Sequence, residues 1–286
     1  MRSTNSYLRM RVFAGPNGSG KSTIINAVRK TKVNNQPVDF GIYINADDIA
    51  KDLRNDAFHF KTYTTSVTEE EFKKEAIQSG LINNEFTEAQ FLSCYFFSNN
   101  KVSLTSGHSV AKADERIAQI LAHFLRKKLL QEKKKLSFET VFSHTSKLDI
   151  MREAKESGYK VYLYFVSTES PEINKFRVEA RKNKGGHDVD PIKIEQRYYR
   201  SLDLLFEAAQ LCYQVFFIDN SKELKDGEEA NWFAHFKIVG EKKKWDKLKQ
   251  TEVAEWFKKY YSSKVRKKDS KNQASDTSQK FDSAIL

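Results

Sequence analysis

The stretch Ala14-Gly15-Pro16-Asn17-Gly18-Ser19-Gly20-Lys21-Ser22-Thr23 decides how this chain is read. Gly15, four residues, Gly20, Lys21 and Ser22 give the spacing of a phosphate-binding loop. Glycine lets the backbone close around an anion with its N–H groups turned inward, and the helix that follows offers its positive end. In such a loop the lysine, here Lys21, reaches the β- and γ-phosphates, and the hydroxyl of Ser22 ligates Mg²⁺. At a glycine usage of about 7%, four constrained positions coincide by accident in roughly one chain per hundred of this size. The surroundings agree with the motif. Residues 8–14 form an apolar run ending at a glycine and read as a strand, while residues 21–30 carry Ile24, Ile25 and Val28 at helical spacing. Gly15, Pro16, Asn17, Gly18, Ser19, Gly20, Lys21, Ser22 and Thr23 are therefore the expected nucleotide-binding residues, with ATP and Mg²⁺ as cofactors.

Working outward, residues 40–44 read as a second strand closed by Asn45-Ala46-Asp47-Asp48, and 110–135 as a long amphipathic helix. Strands follow at 136–142, 160–167 and 214–219, with helices before Gly158, from Pro171, and from Pro191 to about 211. A hairpin around 233–239 and a helix at 252–261 close the pattern. This alternation predicts an α/β P-loop NTPase fold of three layers, with a mainly parallel sheet and helices on both faces. Residues 52–107 carry no clear period beyond a helix near 69–79 and read as a helical insertion. One domain spans 1–262, and 263–286, rich in Ser, Lys, Asp and Gln, reads as a disordered basic tail. In such sheets ligands bind beyond the carboxyl ends of the strands, so the loops after Ala14, Ile44, Phe142 and Ser167 are expected to converge.

The chain has 286 residues, 39% hydrophobic and 30% charged, without an apolar run of the roughly 20 residues a membrane span needs. Its first residues lack the apolar segment of a secretory signal. The two cysteines, Cys94 and Cys212, have no metal or redox spacing, so a cytoplasmic protein with no membrane partner is expected. The net charge of +11 is concentrated in Arg126-Lys127-Lys128, Lys133-Lys134-Lys135, Lys242-Lys243-Lys244 and the tail. These runs read as solvated helix faces and a tail, which leaves nucleic acid a secondary partner class.

A phosphate loop alone does not name a reaction. A transporter-type ATPase needs an aspartate-glutamate pair at the end of a later apolar strand, but Asn220 follows Asp219, which reads as an ordinary strand-end residue. A GTPase needs Asn-Lys-x-Asp, which is absent. A kinase needs a base, polar groups for the acceptor, and cations for the transferring group. Asp47 is the candidate base; with Asp48 it can also be read as a helix cap. Glu139, costly to bury in an apolar strand, is the candidate acceptor ligand, with Thr140 and Ser143 beside it. Arg177 and Arg181 (i, i+4) and Arg197 and Arg200 (i, i+3) share helix faces, with His187 between the pairs. They read as a cationic lid or as ordinary surface salt-bridge residues. No metal beyond Mg²⁺ is expected.

Taken together, these segments resemble the zeta toxin family of P-loop kinases, in particular its small members described as predicted ABC-type ATPases. The resemblance rests on 14–23, on Ile44-Asn45-Ala46-Asp47-Asp48-Ile49-Ala50 and on Ser137-Phe138-Glu139-Thr140-Val141-Phe142-Ser143. It continues through Gly158-Tyr159-Lys160-Val161-Tyr162-Leu163, Arg177, Arg181, Gly185-Gly186-His187 and Arg197-Tyr198-Tyr199-Arg200, in family order over about 8–220. It implies transfer of the ATP γ-phosphate to a hydroxyl of a small sugar-containing acceptor, UDP-N-acetylglucosamine in the best-known members. By position, Asp47 falls on the family's catalytic aspartate and Lys21 on its loop lysine. Glu139 falls on the acceptor glutamate, and Arg177 or Arg181 on the phosphate-binding arginine. An antitoxin protein is the partner the family implies. The chain departs from the family where Ser143 and His144 replace a basic residue and where Lys184 replaces an arginine. Two other readings stay open: a kinase acting on a nucleoside, nucleotide or polynucleotide end, and a non-catalytic ATP-dependent regulatory protein.

Overall fold

The computed structural model describes residues 8–107, 109–183, 185, 189–222, 230–246 and 252–266. In chain order, β1 (Arg9–Ala14) leads into α1 (Lys21–Lys30), and the short strands β2 (Lys32–Val33) and β3 (Gln36–Pro37) form a hairpin. β4 (Ile42–Ile44) and α2 (Ala46–Asn55) follow. Next come β5 (Ala57–His59), a 3-10 turn at Phe60–Tyr63, α3 (Glu69–Gln78), α4 (Glu88–Cys94), β6 (Tyr95–Ser98) and β7 (Lys101–Leu104). The chain continues through α5 (Ala113–Gln131), β8 (Leu136–Thr140), α6 (Ser146–Glu156), β9 (Lys160–Ser167), α7 (Pro171–Lys182) and α8 (Pro191–Leu211). It ends in β10 (Gln214–Asp219), β11 (Asn231–Val239), β12 (Lys242–Trp245) and α9 (Glu255–Phe257), which runs on as a π-turn at Lys258–Ser262. Residues 263–266 are still helical, so the helix outlasts its expected end at 261, and residues 267–286 of the expected tail lie outside the described residues.

The fold is α/β, with a seven-stranded, mostly parallel sheet in the order β12-β11-β10-β9-β1-β8-β4. β9 and β10 pair in parallel, as do β4 and β8, whereas β11 and β12 extend the edge as an antiparallel hairpin. No helix of the described residues is long and apolar enough to cross a membrane. The chain clusters into two compact units. One comprises Met1–Arg11, Asp39–Glu139 and Ser157–Tyr159, and the other Val12–Val38, Thr140–Glu156 and Lys160–Leu286.

In the first unit α5 is the central helix. It buries Ile117, Ile120, Leu121, Phe124, Leu125 and Leu129, the face its periodicity predicts, and packs against α2 and α3. The stretch expected as a helical insertion holds α3 and α4, and also an antiparallel sheet, β5-β7-β6. The aromatic run at 91–97 splits between the end of α4 and the start of β6, and short apolar runs carry no period that separates helix from strand. Its core is aromatic. Phe60 and Phe72 meet Phe124 of α5 edge-on at 5.6 and 5.5 Å, and Phe91 and Tyr95 close the cluster at 4.8 Å. Full burial of each such ring contributes about 1.5–3 kcal/mol. Thr87 and Gln90 form a capping box that fixes where α4 begins.

In the second unit alternation along the strands sorts two aromatic faces. Phe13, Tyr164, Phe216 and His235 stack in succession on one face, with ring centroids 4.7, 4.7 and 4.4 Å apart. On the other face Phe217 packs on Phe257 and Tyr261, and Phe165 on Trp256, so α9 covers the sheet there. α6 and α8 pack on β9 and on each other, and α7 packs on α8.

Candidate functional site

The loop 15–20 joins β1 to α1, and its shape requires glycine at three positions. Gly15, Gly18 and Gly20 have φ of +148°, +77° and +90°. A Cβ at Gly15 would fall 2.0 Å from the Val166 carbonyl, one at Gly18 2.5 Å from the Asn174 carbonyl, and one at Gly20 2.1 Å from Asn220 Nδ2. β9, α7 and the end of β10 thus press on the loop from outside.

Two of the loop's carbonyls find donors on those elements, and two are bonded within the loop and α1. The Pro16 carbonyl accepts from the Ser19 N–H at 3.3 Å and from Lys21 Nζ at 3.0 Å. The Asn17 carbonyl accepts from Asn174 Nδ2 at 2.6 Å, and the Ser19 carbonyl from Asn220 Nδ2 at 2.8 Å. The Gly20 carbonyl accepts from the Thr23 and Ile24 N–H groups and opens α1. α1 has no side-chain cap and no acidic residue in its first turn. Its first N–H groups therefore face no competing carboxylate of the turn, as suits an anion. Lys21 is buried, whereas Ser22 and Thr23 are exposed.

These residues fit a nucleotide phosphate. Three glycines leave a cradle that side chains would fill, and two buried atoms beside it, Ser19 Oγ and Asn220 Oδ1, have no hydrogen-bond partner among the described residues. They also suit Mg²⁺, which is commonly held by one or two protein oxygens together with phosphate oxygens and water. Ser22 supplies such a hydroxyl, and no cluster of three or more His, Cys, Asp or Glu exists among the described residues.

The arginines divide by their surroundings. Arg177 donates to the backbone carbonyls of Asn220 at 2.6 Å and Lys222 at 2.8 Å, so it clamps the chain leaving β10. Arg197 NH1 reaches Asn17 Oδ1 at 3.4 Å. Burial, and then the neighbouring Arg200, push the Arg197 pKa below the ordinary arginine range. No carboxylate among the described residues offsets this, and an anion would. Arg181 and Arg200 are exposed on α7 and α8. His187 and Lys184 lie outside the described residues.

Asp47 and Glu139 belong to the first unit. Asn45, rather than either aspartate, is the N-cap of α2, since its side chain accepts the Asp47 N–H at 2.9 Å. The exposed Asp47 carboxylate occupies the first helical turn. Glu139, half-buried at the end of β8, accepts from the Tyr43 hydroxyl at 3.4 Å. In the second unit, Thr140 Oγ1 accepts the Phe142 N–H at 3.2 Å, and Phe142 is held at φ +59°, a strained conformation for a bulky residue. Ser143 follows, half-buried.

Sequence reasoning missed Asn174, Asn220, Asn45 and Tyr43. The available signals were weak. Asn174 is an asparagine inside a helix, which propensity disfavours, and Asn220 stands out in the sequence only as the absence of a glutamate.

No family model matches the chain. An uncharacterized protein of Haemophilus influenzae is 35% identical over 60 residues, 21% of this chain and 43% of that protein's length. Among solved structures, a chain of the PezAT chromosomal toxin-antitoxin system of Streptococcus pneumoniae is similar over 77% of this chain and 70% of its own, with 14% identity and a TM-score of 0.43. A chain of the AvrRxo1-ORF1:AvrRxo1-ORF2 structure with sulphate ions is similar over 90% of this chain and 65% of its own, with 15% identity and a TM-score of 0.47. The AvrRxo1-ORF1:-ORF2 structure with ATP gives 87% and 63%, 15% identity and a TM-score of 0.45. This chain thus spans just under two thirds of the AvrRxo1 chains it matches.

Proposed function

We propose that the chain is a P-loop kinase of the zeta toxin type, which transfers the γ-phosphate of ATP to a hydroxyl of a small sugar-containing acceptor such as UDP-N-acetylglucosamine. The observation that carries the reading is the loop 15–20, a glycine cradle whose Asn17 and Ser19 carbonyls are drawn outward, followed by a helix start with no acidic residue in its first turn. Catalysis of phosphoryl transfer is mostly positioning and charge stabilisation. In this reading the loop N–H groups and Lys21 bind the β- and γ-phosphates, Ser22 holds Mg²⁺, and Arg181 and Arg197 stabilise charge on the transferring group. Mg²⁺, when bound, neutralises phosphate charge. Glu139, with Thr140 and Ser143, hydrogen-bonds the acceptor. Asp47 takes the proton of the acceptor hydroxyl as its oxygen bonds to phosphorus and ADP leaves with the β–γ bridging oxygen. Arg177, held by backbone carbonyls, supports the frame. An antitoxin partner and a cytoplasmic setting follow from the same reading.

The test is a transfer assay with labelled ATP, Mg²⁺ and UDP-N-acetylglucosamine. The native chain is expected to label the sugar nucleotide. Asp47→Asn is expected to retain ATP binding and lose transfer, and Lys21→Ala to lose turnover. Transfer that survives Asp47→Asn removes Asp47 as base, and full activity of Lys21→Ala removes the nucleotide site from this loop.

A further inference from the structure

We infer that Asn174 and Asn220 are positioning residues that hold the phosphate loop open by drawing its carbonyls outward. The inference rests on the reading of loop 15–20 as the nucleotide site and extends it to two residues on other elements. A loop that turns its N–H groups toward an anion turns carbonyls away, and here the Ser19 carbonyl bonds in a buried setting and the Asn17 carbonyl in a part-buried one, so both need donors. Asn174 and Asn220 each supply one, to the carbonyls of Asn17 and Ser19.

Both amides are fixed from behind. Asn174 is fully buried in α7. Its Nδ2 faces a carbonyl, so its Oδ1 is the atom toward Thr168, whose hydroxyl lies within reach of both this oxygen and the Ser170 carbonyl at 3.0 Å and shares its one proton between them. The Tyr198 hydroxyl of α8 donates to the Thr168 carbonyl at 2.6 Å. The neighbouring Arg197 contacts the side chain of the same Asn17. Asn220 is held through its own carbonyl by Arg177. The route therefore runs from α8 through the β9–α7 turn to Asn17, and from α7 through Arg177 and Asn220 to Ser19. A neutral amide suits this role, because a carboxylate cannot donate to a carbonyl and would add negative charge beside the phosphates.

The test compares Asn174→Ala, Asn220→Ala and Asn174→Asp in the full chain, titrated with a fluorescent ATP analogue and Mg²⁺, with thermal midpoints measured alongside. Each alanine variant is expected to bind the analogue roughly tenfold more weakly, the loss of about one charge-assisted hydrogen bond from a displaced loop N–H. Asn174→Asp keeps the shape of the side chain and guards against an alanine variant that fails to fold. Its buried carboxyl, pushed up by burial, regains a donor when protonated. The deficit of Asn174→Asp against the native chain should therefore shrink as pH falls from about 8 to about 6, a recovery that general destabilisation does not produce. Native affinity in folded Asn174→Ala and Asn220→Ala, or a deficit in Asn174→Asp that does not change with pH, overturns the inference while leaving the nucleotide site intact. Failure of the native chain to bind the analogue overturns the site reading and this inference together.

Discussion

Alanine at Gly18 separates two costs that glycine avoids, backbone conformation and close approach. At φ +77° an L-residue is disfavoured by about 1–2 kcal/mol. The added Cβ would also lie 2.5 Å from the Asn174 carbonyl oxygen and 3.0 Å from Asn174 Cα. Both are backbone atoms of α7, so no side-chain rotation relieves the overlap. Loop and helix must part by several tenths of an ångström, and overpacking of this kind costs about 1–3 kcal/mol. The expected loss is therefore about 2–5 kcal/mol, unless the loop moves off α7 and gives up the bond from Asn174. Gly158 is the control, at φ +85° with nothing within 4 Å of a built Cβ. Gly158→Ala should lose only the conformational part, about 1–2 kcal/mol, and bind nucleotide as the native chain does. Urea unfolding midpoints and titration with a fluorescent ATP analogue and Mg²⁺ read both effects. Gly18→Ala is expected to be the less stable variant and to bind at least about tenfold more weakly. If the two variants match in midpoint and in affinity, the contact between loop and α7 does not shape the site.

Two further predictions concern buried titratable groups. Arg126 lies under the Phe138 ring at 5.1 Å, and burial pushes its pKa down from 12.5 to about 10, equivalent to about 3 kcal/mol against the charged form. A lowered pKa on a base means the penalty is complete below pH 10 and is relieved as pH rises through it. Allowing for the lost cation–π contact, Arg126→Met should raise stability by about 1–2 kcal/mol at pH 7.5, with a smaller gain at pH 10.5; a destabilised variant at pH 7.5 would show that the guanidinium is engaged. Burial also pushes Tyr63, Tyr95 and Tyr159 up from 10 to about 12. Their raised values favour the fold fully below pH 10, and this contribution is lost between pH 10 and 12. Phenolate absorbance and loss of circular dichroism should therefore rise together in that window, and early titration of the phenols in a folded chain would refute it.

The sequence was most legible where period and glycine spacing act locally. Ile24, Ile25 and Val28 marked α1, the face of α5 read correctly from Ile117 to Leu129, and the glycines at 15, 18 and 20 marked a turn that accepts no other residue. The insertion was legible only in part, because its strands are short and its aromatic side chains, such as Phe60 and Phe72, take their places from contacts with Phe124 more than 50 positions away. The support of the phosphate loop was not legible at all. Asn174 and Asn220 stand 157 and 201 positions from the carbonyls they serve, and no local pattern encodes a bond of that span.

The neighbouring residues Asp219 and Asn220 show how one strand end divides two tasks by charge. Asp219 accepts from the Ser221 hydroxyl at 2.7 Å and from Trp256 Nε1 at 3.1 Å, so its carboxylate fastens α9 to the end of β10. Asn220 turns to the phosphate loop and donates. Exchanging the two would place an acceptor against the Ser19 carbonyl and a negative charge beside the cradle, while the indole of Trp256 would meet a weaker, neutral acceptor. An Asp-Glu pair at this strand end, as a transporter-type ATPase requires, would face the same conflict at its second position. Asparagine at this position meets what loop 15–20 presents, a carbonyl that needs a donor, and adds no charge beside it.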